Sequence, residues 1–158
     1  MKVLILLYGI MRGNKESIGS INSKLIQPLI NTNNNVDVYH FVHSIKDIKN
    51  PRSNEYGELN QPDSSPFLNA ILFKYETTDL QHKSDERIIN STKDIYLDDF
   101  KSIKNLLFQL SLLKKSTYKV DYEKYDVVFL TRDDLLFNKT PDFHLELEIY
   151  RKNIYFSI

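Results

Sequence analysis

The sequence predicts an α/β fold in which a mostly parallel sheet is flanked by helices. Three observations carry that expectation. Lys2 to Tyr8 is a continuous apolar run rich in Val, Ile and Leu, the pattern of a strand covered on both faces. Asp126 to Leu130 reads as a second buried strand. Between the first run and the next β-prone segment lies a helical periodicity, so the chain opens strand, helix, strand. At 158 residues it is of single-domain size.

The elements follow in order. The opening strand ends at Gly9. From Ser17 to Ile30 the apolar positions Ile18, Ile21, Leu25 and Leu29 recur at spacings of three and four, one face of a helix, with Pro28 disturbing its last turn. Asn31 to Asn35 is a turn cluster, and Val36 to Val42 reads as the second strand. Asn50 to Pro66 holds three of the five prolines and reads as a long loop. Ala70 to Tyr75 is a third strand, and His82 to Ser91 is too polar to assign. Around Asp98 a strong helix begins, with Phe100, Ile103, Leu106, Leu107, Leu110 and Leu113 as its apolar face. Asp98 and Asp99 at its start and Lys114 and Lys115 near its end suit the helix dipole. The strand ending at Leu130 follows, and Asn153 to Ile158 is β-prone again.

Composition limits the function classes. The 21 basic and 21 acidic residues balance, so no broad field favours nucleic acid or an anionic membrane, and an anionic ligand must be held locally. The chain has no cysteine, which removes disulfides, thiolate chemistry and cysteine-ligated clusters. The apolar N-terminal run is short for a spanning segment and has no cleavage site after it. No transmembrane segment and no export signal are read, and the expected location is the cytoplasm.

Thr131, Arg132, Asp133 and Asp134 break an otherwise apolar stretch, Tyr125 to Phe137. In open α/β sheets ligands bind beyond the carboxyl ends of the strands. Two polar clusters fall at such ends: Gly9-Ile10-Met11-Arg12-Gly13 and Thr131 to Asp134. If the two strands are parallel neighbours, Arg12 and Asp134 face one crevice. Arginine binds phosphate or carboxylate through its planar fork, and paired carboxylates suit magnesium or manganese, which bridge to phosphates. Arginine with carboxylates points to a diphosphate. The plainer reading is a turn with a local Arg132–Asp134 salt bridge. His40 and His43 lie three apart in a strand, so they point to opposite faces and share no metal. Each is expected to be packed or hydrogen-bonded.

These residues carry a resemblance. The G-x-x-R loop Gly9 to Arg12, the strand VDVYHFVHS at Val36 to Ser44, FQLSLLKKS at Phe108 to Ser116 and YDVVFLTRDDLLF at Tyr125 to Phe137 are together similar to nucleotide-diphosphosugar glycosyltransferases of GT-A-like fold. These are of the kind found in bacterial capsule clusters and large DNA viruses. The resemblance implies one GT-A-like, Rossmann-like domain over residues 1–158 that binds a nucleotide-diphosphosugar. It implies that Gly9 and Arg12 receive the nucleotide, that Gln109 faces the site or braces its helix, and that Asp134 stands at the final aspartate of a D-x-D-like motif and touches a divalent metal (manganese or magnesium) or the diphosphate. Asp133 is a second possible oxygen ligand. Arg132 stands where a first aspartate would be, and its guanidinium can itself neutralise diphosphate charge. The resemblance covers only the N-terminal half of such enzymes. The chain is therefore expected to lack the acceptor-binding half, to leave an apolar edge near Tyr155 and Phe156, and to need a second polypeptide for transfer. The rival classes are a non-catalytic nucleotide-binding or interaction module derived from such an enzyme, and a phosphoacceptor receiver-like domain. The last wants acidic residues where Gly9 and Arg12 stand.

Overall fold

The computed structural model describes residues 1–12, 14–32, 34–50, 55–59, 61–76, 83–141 and 154–156. Gly13, parts of the Asn50 to Pro66 segment, His82, and residues 153, 157 and 158 lie outside the described residues, as do the side chains of Tyr155 and Phe156; that segment is not all loop, since Glu55–Glu58 within it is a strand.

The strand β1 (Lys2–Gly9) leads into α1 (Lys15–Ser20), a π-helical stretch (Ile21–Ile26) and α2 (Gln27–Asn31), and then β2 (Asn35–Ser44). A small hairpin, β3 (Asp47–Asn50) with β4 (Glu55–Glu58), forms its own antiparallel pair. Then come β5 (Ala70–Glu76), α3 (Lys83–Ser91), α4 (Lys101–Lys119), β6 (Val127–Arg132) and the short β7 (Ile154–Phe156). The main sheet has the order β5-β2-β1-β6-β7, and every pairing in it is parallel. From β1 the chain therefore builds outward on one side through β2 and β5, then returns to build on the other through β6 and β7.

Alternation along β1 sorts the core into two layers. Val3, Ile5 and Leu7 pack with Ile21, Leu25, Ile26 and Leu29. Leu4 and Leu6 pack with Phe41, Leu112 and Val120 on the other face. The first helical segment and α4 thus cover opposite faces, as right-handed crossovers require when one steps from β1 to β2 and the other runs back across the sheet from β5 to β6. Both faces of β1 are covered, which explains its unbroken apolar sequence.

Two local features differ from what the periodicity predicts. Pro28 does not end its helix: the chain widens to a π turn just before it, with the Gln27 N–H donating to the Asn22 carbonyl, and this relieves the clash a proline makes one turn back. In α4 the buried positions are Ser111, Leu112 and Ser116, while Leu106 and Leu110 are exposed. The helix is rotated from the leucine-rich face because two small serines allow close approach to the sheet. Its start is also later than Asp98, whose Oδ2 accepts from the Ser102 N–H at 3.0 Å and the Ser102 hydroxyl at 2.6 Å. Asp98 and Asp99 thus lie ahead of the helix and not in its first turn, and Asp98 holds that turn from outside through Ser102.

Candidate functional site

The strand order makes β1 and β6 the place where the chain reverses its direction of building. The crevice beyond their carboxyl ends is the topological switch point, the usual ligand position in open α/β sheets. Arg132 ends β6 paired with Tyr8, and Gly9 ends β1 one step past that pair. The Asp133 N–H continues that pairing by donating to the Tyr8 carbonyl at 3.1 Å. This hydrogen bond lays the Asp133 carboxylate directly over Gly9. A Cβ at residue 9 would overlap the carboxylate, lying 2.8 Å from its Cγ, so only glycine fits there.

Asp133 is buried, and its Oδ2 lies 3.1 Å from His40 Nε2, with both side chains almost wholly out of solvent. On the far side of the ring, His40 Nδ1 lies 3.0 Å from Ser65 Oγ, and that oxygen also accepts from the Phe67 N–H at 3.3 Å. Phe67 meets the His40 ring edge-on at 4.9 Å. A neutral imidazole that faced a carboxylate with a lone pair would be repelled, so Nε2 carries the proton and donates to Asp133, and Nδ1 accepts from the Ser65 hydroxyl. His43 lies on the other face, its ring 4.5 Å from Phe108. The opposite-face expectation for the two histidines holds.

The rest of the charged turn closes on itself. Arg132 Nε donates to Asp134 Oδ1 at 2.9 Å, and a terminal nitrogen donates to Oδ2 at 2.6 Å, a bidentate fork. This pairing raises the Arg132 pKa above its ordinary value. Burial pushes the Tyr8 phenol up, partly offset by the nearby guanidinium. The turn is also tied to the first helix: Ser17 Oγ donates to the Asp134 carbonyl at 3.1 Å, and the Phe137 N–H donates to Ser20 Oγ at 3.0 Å.

Arg12, Asp133 and Asp134 line one narrow crevice with Met11, Asn14, Ile18, Pro66 and Phe67. Its free volume, about 10 Å³, is that of a single water. Of the residues singled out in the sequence, Gly9, Arg12, Asp133, Arg132 and Asp134 gather at this switch point. Gln109 is half-buried on α4, whose neighbours Phe108 and Leu112 pack in the layer opposite α1, and it does not line the crevice. Among the described residues no group of three or more His, Asp or Glu comes together as a metal nest. A larger hollow of about 370 Å³ lies between the α3–α4 connection and α4. The Asp94 carboxylate there accepts from the N–H groups of Asp98 and Phe100, so with Asp98 it shapes the helix entry.

Sequence reasoning missed Ser65 and the link between His40 and Asp133. The hydrogen bond spans 93 positions, and only the parallel register, which sets Leu7 beside both His40 and Thr131, brings the pair together.

The fold and the crevice define an α/β protein with an all-parallel main sheet whose charged residues collect at the switch point. No family model, no curated protein and no solved structure matches the chain. Among the described residues no helix is long and apolar enough to cross a membrane.

Proposed function

We propose that this chain is a GT-A-like nucleotide-diphosphosugar-binding domain, with glycosyl transfer as its chemistry. The observation that carries the reading is that Arg12 and Asp134 line one crevice at the β1/β6 switch point, with Arg132 forked onto Asp134 beside it. In glycosyl transfer an acceptor hydroxyl attacks the anomeric carbon while the nucleoside diphosphate leaves, and the site must stabilise the charge on that leaving group. Arg12 meets a phosphate from one side of the crevice. Arg132 uses part of its five-donor guanidinium on Asp134 and keeps the remainder for an anion.

A divalent cation does not fit these donors as they stand. Both oxygens of Asp134 accept from Arg132, and Oδ2 of Asp133 is held by His40. Charge neutralisation of the diphosphate therefore falls to the two arginines. The crevice must widen to take a ligand larger than water. Its Pro66–Phe67 wall belongs to the connecting segment before β5, which Asn22 holds through the Pro66 carbonyl and the Leu68 N–H.

A second reading, a module that binds the nucleotide without transferring sugar, is favoured by the internal engagement of both carboxylates. A thermal-shift panel of nucleoside diphosphates and nucleotide sugars, with and without manganese, tests binding, and assay of sugar release separates the two readings. The expected result is a raised Tm with at least one diphosphate in metal-free buffer, because a ligand that binds only the folded state stabilises it. A panel in which no member raises Tm removes both readings.

A further inference from the structure

Ser65, His40 and Asp133 form a continuous hydrogen-bonded series: Oγ to Nδ1 at 3.0 Å, then Nε2 to Oδ2 at 3.1 Å. The spacing is that of nucleophile, general base and orienting carboxylate. The His40 ring is wholly buried and Asp133 nearly so, which holds the base in one orientation. Ser65 is only half-buried, on the segment whose next two residues line the crevice with Arg12. The Phe67 N–H fills one lone pair of Oγ, which turns the hydroxyl hydrogen towards Nδ1. With the proton on Nε2, the lone pair on Nδ1 is the base that faces Ser65, the reverse of the usual arrangement in which Nε2 is the base and Nδ1 faces the carboxylate.

We propose that Ser65, on the segment bordering the crevice, is an activated nucleophile that hydrolyses a small carboxylic ester. The Ser65 oxygen attacks the ester carbonyl carbon as its proton passes to His40 Nδ1, and Asp133 stabilises the resulting imidazolium. The carbonyl electron pair moves onto oxygen, which develops charge beside the crevice that Arg12 lines. Collapse breaks the bond to the alkoxide, which takes the proton back from His40 and leaves as the alcohol. Water from solvent then repeats the sequence, releasing the carboxylic acid and restoring Ser65. This activity does not rest on nucleotide binding, and its readout is a covalent adduct, so either proposal can fail alone.

The test is to treat the full chain with a fluorophosphonate and, separately, with p-nitrophenyl acetate, and to map adducts by peptide mass spectrometry. The expected result is a phosphonyl or acetyl group on Ser65 and none there in Ser65→Ala. His40→Gln should lower the acetylation rate by about a hundredfold or more, the scale of general-base assistance. Because a change at buried His40 can impair folding, mapping on the unaltered chain stands as the primary measurement. Ser65→Ala, at a half-buried loop position, is checked for an unchanged circular dichroism spectrum. A chain that takes no label, or takes it only at other residues, overturns the proposal and leaves the trio as a latch holding the Ser65 segment to the sheet.

Discussion

Arg132 and Asp134 neutralise each other two residues apart, through a fork whose shorter hydrogen bond is 2.6 Å. The charged turn that interrupts the apolar run thus presents a closed ion pair, and its other aspartate, Asp133, points inward to His40. The side chains of the pair are 40% and 23% exposed, so solvent screens much of their attraction. Asp134→Ala should cost about 1 kcal/mol, which lowers Tm by about 2–4 °C in a domain of this size. A calorimetric loss several times larger would show that the pair is a structural keystone of the turn.

Gly9→Ala should be the more damaging change, although it adds one methyl group. The carboxylate that methyl would meet is held on Oδ2 by His40, and its own N–H is bound to the Tyr8 carbonyl. Relief therefore requires moving the strand ends or breaking the buried pair. Overpacking of this kind costs about 1–3 kcal/mol, readable as a lowered urea midpoint with an unchanged m-value. Parent-like stability in Gly9→Ala would mean that Asp133 swings away freely.

His43 gives the fold an acid-side dependence. Burial pushes its pKa below the ordinary imidazole value, against a smaller opposing effect from Glu76. Folding then favours the neutral ring, and the unfolded chain takes up the proton first as pH falls. Stability from this group is whole above about pH 6.5 and declines below it. His43→Phe keeps the ring against Phe108 without the titration. Urea denaturation at pH 7.5 and at pH 5.5 should show a larger loss in the parent than in the variant, and equal losses would exclude His43 as the source.

Much of the sheet is legible in the sequence because its central strand is buried on both faces and so carries an unbroken apolar run. The first helix is legible because Ile21, Leu25 and Leu29 all reach the core. Where small residues decide packing, hydrophobicity misleads: Ser111 and Ser116 of α4 are buried while Leu106 and Leu110 face out. Lys83–Ser91 is helical with too few apolar residues to announce it. The switch-point cluster is legible as strand-end polarity after β1 and β6. The division of labour inside it depends on alternation past the end of β6, which sends Asp133 inward and leaves Arg132 and Asp134 outside.

That division separates the roles of the three charged residues in ligand binding. If Arg12 and Arg132 carry the diphosphate, Arg12→Ala and Arg132→Ala should each weaken a nucleoside diphosphate in metal-free buffer. Loss of a charge-assisted contact of about 1.5–3 kcal/mol corresponds to roughly ten- to a hundredfold in Kd. Asp134→Asn removes the carboxylate that competes for the Arg132 fork, so its metal-free affinity should equal or exceed that of the parent. Titration calorimetry of the three variants, each with and without manganese, distinguishes the possibilities. Tighter binding by the parent in manganese, lost in Asp134→Asn, would show that Asp134 leaves Arg132 to ligate the cation, and the two-arginine account would give way to a metal-bridged one. Parent-like affinity in both arginine variants would place the diphosphate elsewhere altogether, because Arg12 is the arginine among the described residues that lines the crevice and Arg132 is the one forked to its Asp134 wall.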